Sequence, residues 1–243
     1  MATFKKVFKD IFEEGLRAEG FKYNSKYDYF FRIINNELIQ YITHISVPAL
    51  EKGTKRFDVF AGTVSVYSES VDKDFLRMAG RGFYAYTKYK KNTVMTYTTE
   101  NMVEVIESAY NKTMNIVMPI LKEVVDLNTY INFRKKTEGL IEIGPADKFW
   151  ADSLALIVAD NHDDFEDYFQ AELEFIKELF RIGKTGGTYE SQYNSLHEAV
   201  FVTVVGARDK VYQDKQLYAE AIAEAERRKT ANLEYLRSMK VID

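Results

Sequence analysis

Between residues 4 and 19 the apolar positions fall at Phe4, Val7, Phe8, Ile11, Phe12 and Leu16, three and four residues apart. That spacing lines one face of an α-helix and leaves the lysines and carboxylates on the other. Thr3 stands where an N-cap belongs, and Gly20 where a C′ residue of positive φ belongs. Phe21 then folds back on Leu16 in a Schellman ending.

The period next changes from helical to alternating. Residues 27 to 47, YDYFFRIINNELIQYITHISV, predict two strands around a type I′ turn at Asn35-Asn36, because asparagine tolerates positive φ. A two-residue turn pairs Ile34 with Glu37, Arg32 with Ile39, Phe30 with Tyr41 and Asp28 with Thr43 on one face. The other face receives Ile33 with Leu38, Phe31 with Gln40, Tyr29 with Ile42 and Tyr27 with His44. Its large apolar groups toward the turn mark that second face as the helix-facing one. Residues 57 to 67 give a third strand, rich in valine and threonine, and residues 83 to 89 and 93 to 98 a fourth and fifth. Strands in a meander, with no crossover helices between them, are an α+β signature.

Residues 99 to 126 return to the helical period, with Thr99 as N-cap and a stripe of Met102, Ile106, Ala109, Tyr110, Thr113, Val117 and Leu121. Pro119 has no amide proton, so it either kinks this helix or opens a new one. Gly139 and Gly144-Pro145 place a boundary near residue 140. Beyond it, helices are expected at 145 to 159, 163 to 182, 189 to 205 and 209 to 238, with residues 199 to 205 open between helix and strand. The expected organisation is α+β: an antiparallel sheet of about five strands flanked by helices over residues 1–138, then an all-helical C-terminal half, residues 139–243, of helical hairpins packed on it.

Composition narrows the chemistry. Apolar residues make up 46% of the 243, enough for a filled core; the aromatic load is high, with 17 Phe and 17 Tyr, and the tyrosines are assigned to core edges and sheet surfaces, with a ligand groove as the alternative. The chain has no cysteine, which excludes disulfides, thiolate metal sites and cysteine nucleophiles and suits a reducing cytoplasm. Asp10, Glu13 and Glu14 interrupt the apolar pattern of the first helix, so it is not a signal peptide. The longest apolar run, residues 199 to 205, falls far below the ~20 residues of a membrane span. The net charge of −4 is spread as mixed signs, and the short basic runs at Lys88, Lys90 and Lys91 and at Arg134, Lys135 and Lys136 make no phosphate-tracking stripe. The expectation is a cytoplasmic protein that binds neither nucleic acid nor membrane.

Asn161-His162-Asp163-Asp164, with Glu166 and Asp167, gathers the most potential ligands, and it reads as a helix start whose acids complement the helix dipole. His197-Glu198 lacks the second histidine of a zincin motif. Gly183 to Gly187 lacks the order of a phosphate loop, and no serine sits in a nucleophile elbow. No catalytic residue, metal ligand or cofactor is therefore assigned. The candidate ligand-binding residues are Phe30, Arg32 and Tyr41, whose mixed guanidinium and aromatic face has the character of peptide and ligand sites, together with His44 at its strand end.

The stretch FKKVFKDIFEEGLRAEGFKYNSKYDYFFRIINNELIQYITHISV resembles the opening of bacterial proteins grouped as domain of unknown function 4304. The resemblance rests on Gly20-Phe21-Lys22, the aromatic-arginine pair Phe31-Arg32, the strand from Leu38 to Ser46, and Met118-Pro119-Ile120-Leu121 after the sheet. It covers roughly the first 135 residues, and where Thr43-His44-Ile45-Ser46 stands the family pattern calls for a Gln-Lys-Ser-like ending. It implies an α+β fold and a bacterial cytoplasmic setting, and brings no activity and no functional residues. The function expected is that of a non-catalytic bacterial binding protein, of immunity type by analogy, whose partner is an unidentified protein or small-molecule ligand. The alternative is an enzyme acting on a small polar substrate in a sheet–helix cleft, with His44, Arg32 and a tyrosine as its working groups.

Overall fold

The computed structural model describes residues 3–67, 81–82, 94–138, 155, 158–159, 215–240 and 242. The chain divides into two units, one of Met1–Val66, Ser70–Ile141 and Ala231–Asp243, the other of Tyr67–Glu69 and Glu142–Thr230. The first unit carries the sheet, the candidate residues and the closing stretch of the chain.

Helix α1 spans Phe4–Ala18, and the Thr3 hydroxyl accepts from the Lys6 amide at its start. At its end the Phe21 N–H donates to the Leu16 carbonyl (2.9 Å) and the Gly20 N–H to that of Arg17 (3.0 Å), with Gly20 at φ +84°. This is the Schellman ending expected of Gly20-Phe21. The buried face is Phe8, Phe12 and Leu16, each contributing about 1.5–3 kcal/mol by its removal from water. Phe8 and Phe12 stack at 4.1 Å, and Phe4 meets Phe57 and Tyr97 of the sheet.

The sheet is antiparallel throughout, with β1 (Lys22–Asn24), β2 (Tyr29–Ile34), β3 (Leu38–Val47) and β4 (Lys55–Ser65) neighbours in chain order. Two short strands share the far edge of β4, β5 (Arg81–Gly82) beside Phe60 and Ala61 and β6 (Met95–Tyr97) beside Lys55–Phe57. That gives five positions across the sheet, as the strand pattern predicted. The fourth expected strand, residues 83 to 89, lies outside the described residues.

The β2–β3 hairpin corrects the expected register. Asn35 and Asn36 do take positive φ (52° and 54°), and the Glu37 N–H donates to the Ile34 carbonyl (3.0 Å) as a type I′ turn requires. Glu37 is then bulged out of the ladder: its carbonyl turns away to accept from the Val66 N–H (2.8 Å), and Ile34 pairs with Leu38 instead of Glu37. Every pair shifts by one, so Phe30 lies opposite Ile42, Arg32 opposite Gln40 and Phe31 opposite Tyr41. Because side chains alternate, Phe30 and Arg32 share the α1-facing side with Leu38, Gln40, Ile42 and His44. Tyr41 and Ile39 lie on the opposite side with Phe31.

After β6, helix α2 (Met102–Lys112) is capped at Asn101 and not at Thr99; the Asn101 side chain accepts from the Thr98 N–H (2.7 Å) and leaves no side-chain bond to the helix. A π-helical turn, Thr113–Val117, follows, and α3 (Met118–Lys122) continues directly from it with helical backbone at the join, so Pro119 falls where the ladder passes from π to α rather than at a free helix start. Helix α4 (Leu127–Glu138), not foreseen in the sequence, is started by Asp126, whose carboxylate accepts from the Thr129 N–H (2.8 Å). The expected helices at 145 to 159, 163 to 182 and 189 to 205, with His162, His197 and Gly183 to Gly187, lie essentially outside the described residues; of them only 155 and 158–159 are described. The last expected helix is present as α5, Lys215–Ser238. Its final turns belong to the first unit, where Asn232 donates to the Val66 carbonyl (2.7 Å), Asn24 donates to the Met239 carbonyl (2.8 Å), and Tyr27 and Tyr235 share a 2.7 Å hydrogen bond.

Candidate functional site

The polar groups nearest the candidate residues gather around Asp28. Between β1 and β2 the Asn24 side chain accepts from the N–H groups of Lys26 (3.1 Å) and Tyr27 (3.2 Å), and the Asp28 N–H donates to the Asn24 carbonyl (2.9 Å). This Asx-type turn leaves Asp28 at φ 66°, a left-handed conformation that aspartate tolerates better than most residues. The Asp28 carbonyl accepts from the Thr43 hydroxyl (2.9 Å), which ties the turn to β3.

Three elements then deliver side chains to the Asp28 carboxylate. Tyr23 of β1 donates its hydroxyl to Oδ1. Lys5 of α1 places Nζ 3.3 Å from Oδ2, and His44 of β3 places Nε2 3.4 Å from the same oxygen. The His44 contact has ion-pair distance without hydrogen-bond alignment, and both imidazole nitrogens are buried without a hydrogen-bond partner among the described residues. The rings of Phe4 and Phe8 meet the imidazole edge-on at 4.9 and 4.7 Å. Burial pushes His44 below its usual 6.5, against the pull of Asp28. Burial likewise pushes the Tyr23 phenol well above its ordinary value, and the hydrogen bond to Asp28 and the charges of Asp28 and Glu13 add to it. Tyr23 therefore stays a proton donor and Asp28 its acceptor. Among the described residues no third histidine, aspartate or glutamate joins His44 and Asp28 to make a metal-binding group.

Arg32 belongs to a different network. Its guanidinium lies 4.7 Å from the Phe21 ring, donates through Nη1 to the Glu19 carbonyl (2.7 Å) and through Nε to Gln40 Oε1 (2.7 Å). Gln40, fully buried, donates its amide to the carbonyls of Leu121 (2.8 Å) and Val124 (3.1 Å). The pair thus serves the C-terminal carbonyls of α1 and of α3, groups that a helix leaves unmatched. Burial pulls the Arg32 guanidinium down from its usual value and Glu19 opposes this. Phe30 is buried against Tyr23 (4.9 Å) and Phe12 (6.4 Å), and Tyr41 is buried on the far side of the sheet. The structure therefore does not assemble Phe30, Arg32, Tyr41 and His44 into one site. It brings His44 together with Lys5, Tyr23 and Asp28, three residues the sequence did not single out. The available signal was Asn24 four residues before Asp28, a polar turn that begins β2 later than the pattern suggested.

An open cavity of about 470 Å³ lies along the exposed side of α2 and the π-helical turn, beside Glu104, Glu107, Ser108, Asn111, Lys112 and Asn115, and none of the four candidates lines it. Among the described residues no helix is long and apolar enough to cross a membrane. No protein-family model matches the chain, and no curated protein and no solved structure shows a significant match to it.

Proposed function

We propose that the chain is a non-catalytic binding protein whose contact element is the end of the β3–β4 hairpin. The observation that carries the reading is Leu50, 79% exposed at the hairpin tip, with Ile45 on the adjoining stretch of β3 at 39%. Beyond Ile42 the β3–β4 ladder runs on to Val47 and Arg56, so these apolar side chains ride on a paired and therefore ordered arm. The polar groups that an enzyme would spend on substrate are meanwhile engaged with one another: Arg32 with Glu19 and Gln40, Asp28 with Tyr23, Lys5 and His44. A bacterial cytoplasmic setting, an immunity-type role by analogy, and kinship of the first 135 or so residues with the domain of unknown function 4304 belong to the same proposal.

The test is thermal stability of the purified protein against a panel of metals, nucleotides and small metabolites, followed by partner capture. A ligand at 100 times its Kd adds about 2.7 kcal/mol, which a melting curve resolves. The expected result is no shift across the panel, with capture of a protein partner by the wild type and loss of that capture in Leu50→Asp at unchanged melting temperature. A reproducible shift with one small molecule sinks this reading. It favours the second one, an enzyme acting on a small polar substrate, whose support is the convergence of Tyr23, Lys5 and His44 on Asp28. In that case Tyr23→Phe and His44→Asn abolish the shift.

A further inference from the structure

Asp28 Oδ1 accepts from the Tyr23 hydroxyl, and two basic groups converge on Oδ2. Lys5 Nζ stands 3.3 Å from that oxygen and His44 Nε2 3.4 Å. The two differ in what else surrounds them. The Lys5 side chain is 52% exposed and its other contact is the Ser25 carbonyl at 3.4 Å, so solvent replaces Asp28 for it with little loss. The His44 side chain is 12% exposed, and neither of its nitrogens has a hydrogen-bond partner among the described residues.

The charges that act on the imidazole among the described residues are Asp28, which favours its protonated form, and Lys5, which opposes it. Besides Lys5, α1 brings only the rings of Phe4 and Phe8 against it. Strand β4 brings Val59, opposite His44, while Asp58 stands opposite Ile45 and so belongs to the other side of the sheet. Strand β1 brings Tyr23, bonded to Asp28, with Lys9 5.3 Å from its ring centre and itself paired with Glu13. One anion is therefore shared between an exposed ammonium and a buried imidazole.

We propose that the Asp28 carboxylate is a pH-operated clasp: with His44 neutral it holds Lys5 of α1, and with His44 protonated it holds His44 of β3 and lets Lys5 go. The step adds one proton from solvent to the imidazole, after which both ring nitrogens carry hydrogen and Nε2–H donates to Oδ2. Closing the 3.4 Å contact by about half an ångström gives a charge-assisted hydrogen bond of ordinary length. An ammonium and an imidazolium repel at one oxygen, and the ammonium yields because it regains solvent. The imidazolium, held between Phe4 and Phe8, has no second anion to turn to among the described residues. Phe4 stays seated on Phe57 (4.8 Å) and Tyr97 (5.0 Å), so α1 keeps its place and Lys5 alone is released. A buried protonation is thereby converted into a freed cation at the surface, and burial of His44 sets the exchange below pH 6.5. The exchange needs no ligand, so it holds under either functional reading.

NMR of the full chain over a pH series from about 7.5 to about 5 reads both partners of Asp28 at once. The imidazole signals of His44 are assigned by their loss in His44→Gln, and the side-chain signals of Lys5 by their loss in Lys5→Met. The expected result is that Lys5 titrates with the midpoint of His44 and that its transition is absent in His44→Gln. In Lys5→Met the His44 midpoint rises, because the competing cation is gone; in Asp28→Asn it falls. A Lys5 that does not follow His44 overturns the proposal. So does a His44 midpoint that Lys5→Met leaves in place, and so does a His44 that stays neutral to the acid end of the series. Lys5→Met alters an exposed side chain, and a melting curve establishes that it folds, so the midpoint test stands even where His44→Gln or Asp28→Asn does not fold.

Discussion

Arg32 Nε donates to Gln40 Oε1 at 2.7 Å across the β2–β3 pair, and through this contact a strand side chain supports two separate helix ends. Arg32 reaches the carbonyl of Glu19 after α1, and Gln40 reaches those of Leu121 and Val124 at the end of α3. Gln40→Leu keeps the volume and removes the amide. It leaves the Leu121 and Val124 carbonyls and the Arg32 Nε without their partner in a buried place, at a cost of about 3 kcal/mol. Urea unfolding checks it, and Gln40→Glu, which restores only the acceptor for Arg32, is expected to recover part of the loss.

Gly15 sits inside α1, where alanine normally stabilises by up to about 1 kcal/mol. Here a Cβ would run into the Tyr110 hydroxyl and the ring carbon bearing it, because α2 crosses α1 at this point. Gly15→Ala is expected to lower stability in the wild type and to raise it in a Tyr110→Ser background. A double-mutant cycle measures the difference, and a coupling of about 1–2 kcal/mol is expected from such a direct contact.

His44 gives the protein a pH dependence of predictable sign. Its folded-state pKa lies below the ordinary 6.5, chiefly because burial penalises the imidazolium. Between those two values the unfolded chain binds more protons than the folded one, so stability is full above pH 6.5 and is lost as pH falls through the folded pKa. Chemical denaturation at pH steps from 7.5 downward is expected to show this slope above the carboxylate range. His44→Gln is expected to flatten it, whatever the variant's absolute stability; an unchanged slope would place its origin in another group.

Helix α1 and its Schellman ending were legible because they depend on local chemistry alone: a threonine cap, a 3.6-residue stripe and a glycine at positive φ. The turn at Asn35-Asn36 was legible for the same reason. What the pattern did not contain was the bulge at Glu37, whose carbonyl is drawn off by Val66, a residue of the following strand's end. That one non-local hydrogen bond moved Tyr41 to the face opposite Phe30 and Arg32 and dissolved the expected constellation. The β3 half of the helix-facing side, Leu38, Gln40, Ile42 and His44, was read correctly, and the β2 half was inverted. The Asp28 cluster was invisible for a related reason: its members come from α1, β1, a turn and β3, and no spacing along the chain brings Lys5, Tyr23, Asp28 and His44 together.

The return of residues 231–243 to the first unit has a consequence for synthesis. Asn24, Tyr27 and Val66 find partners at Met239, Tyr235 and Asn232. A ribosome that has released the whole sheet still holds the segment those three residues await, and everything between must emerge before it. The first unit is thus begun at the start of synthesis and completed only at its end, and a nascent chain stopped after α4 carries a sheet domain missing its final brace.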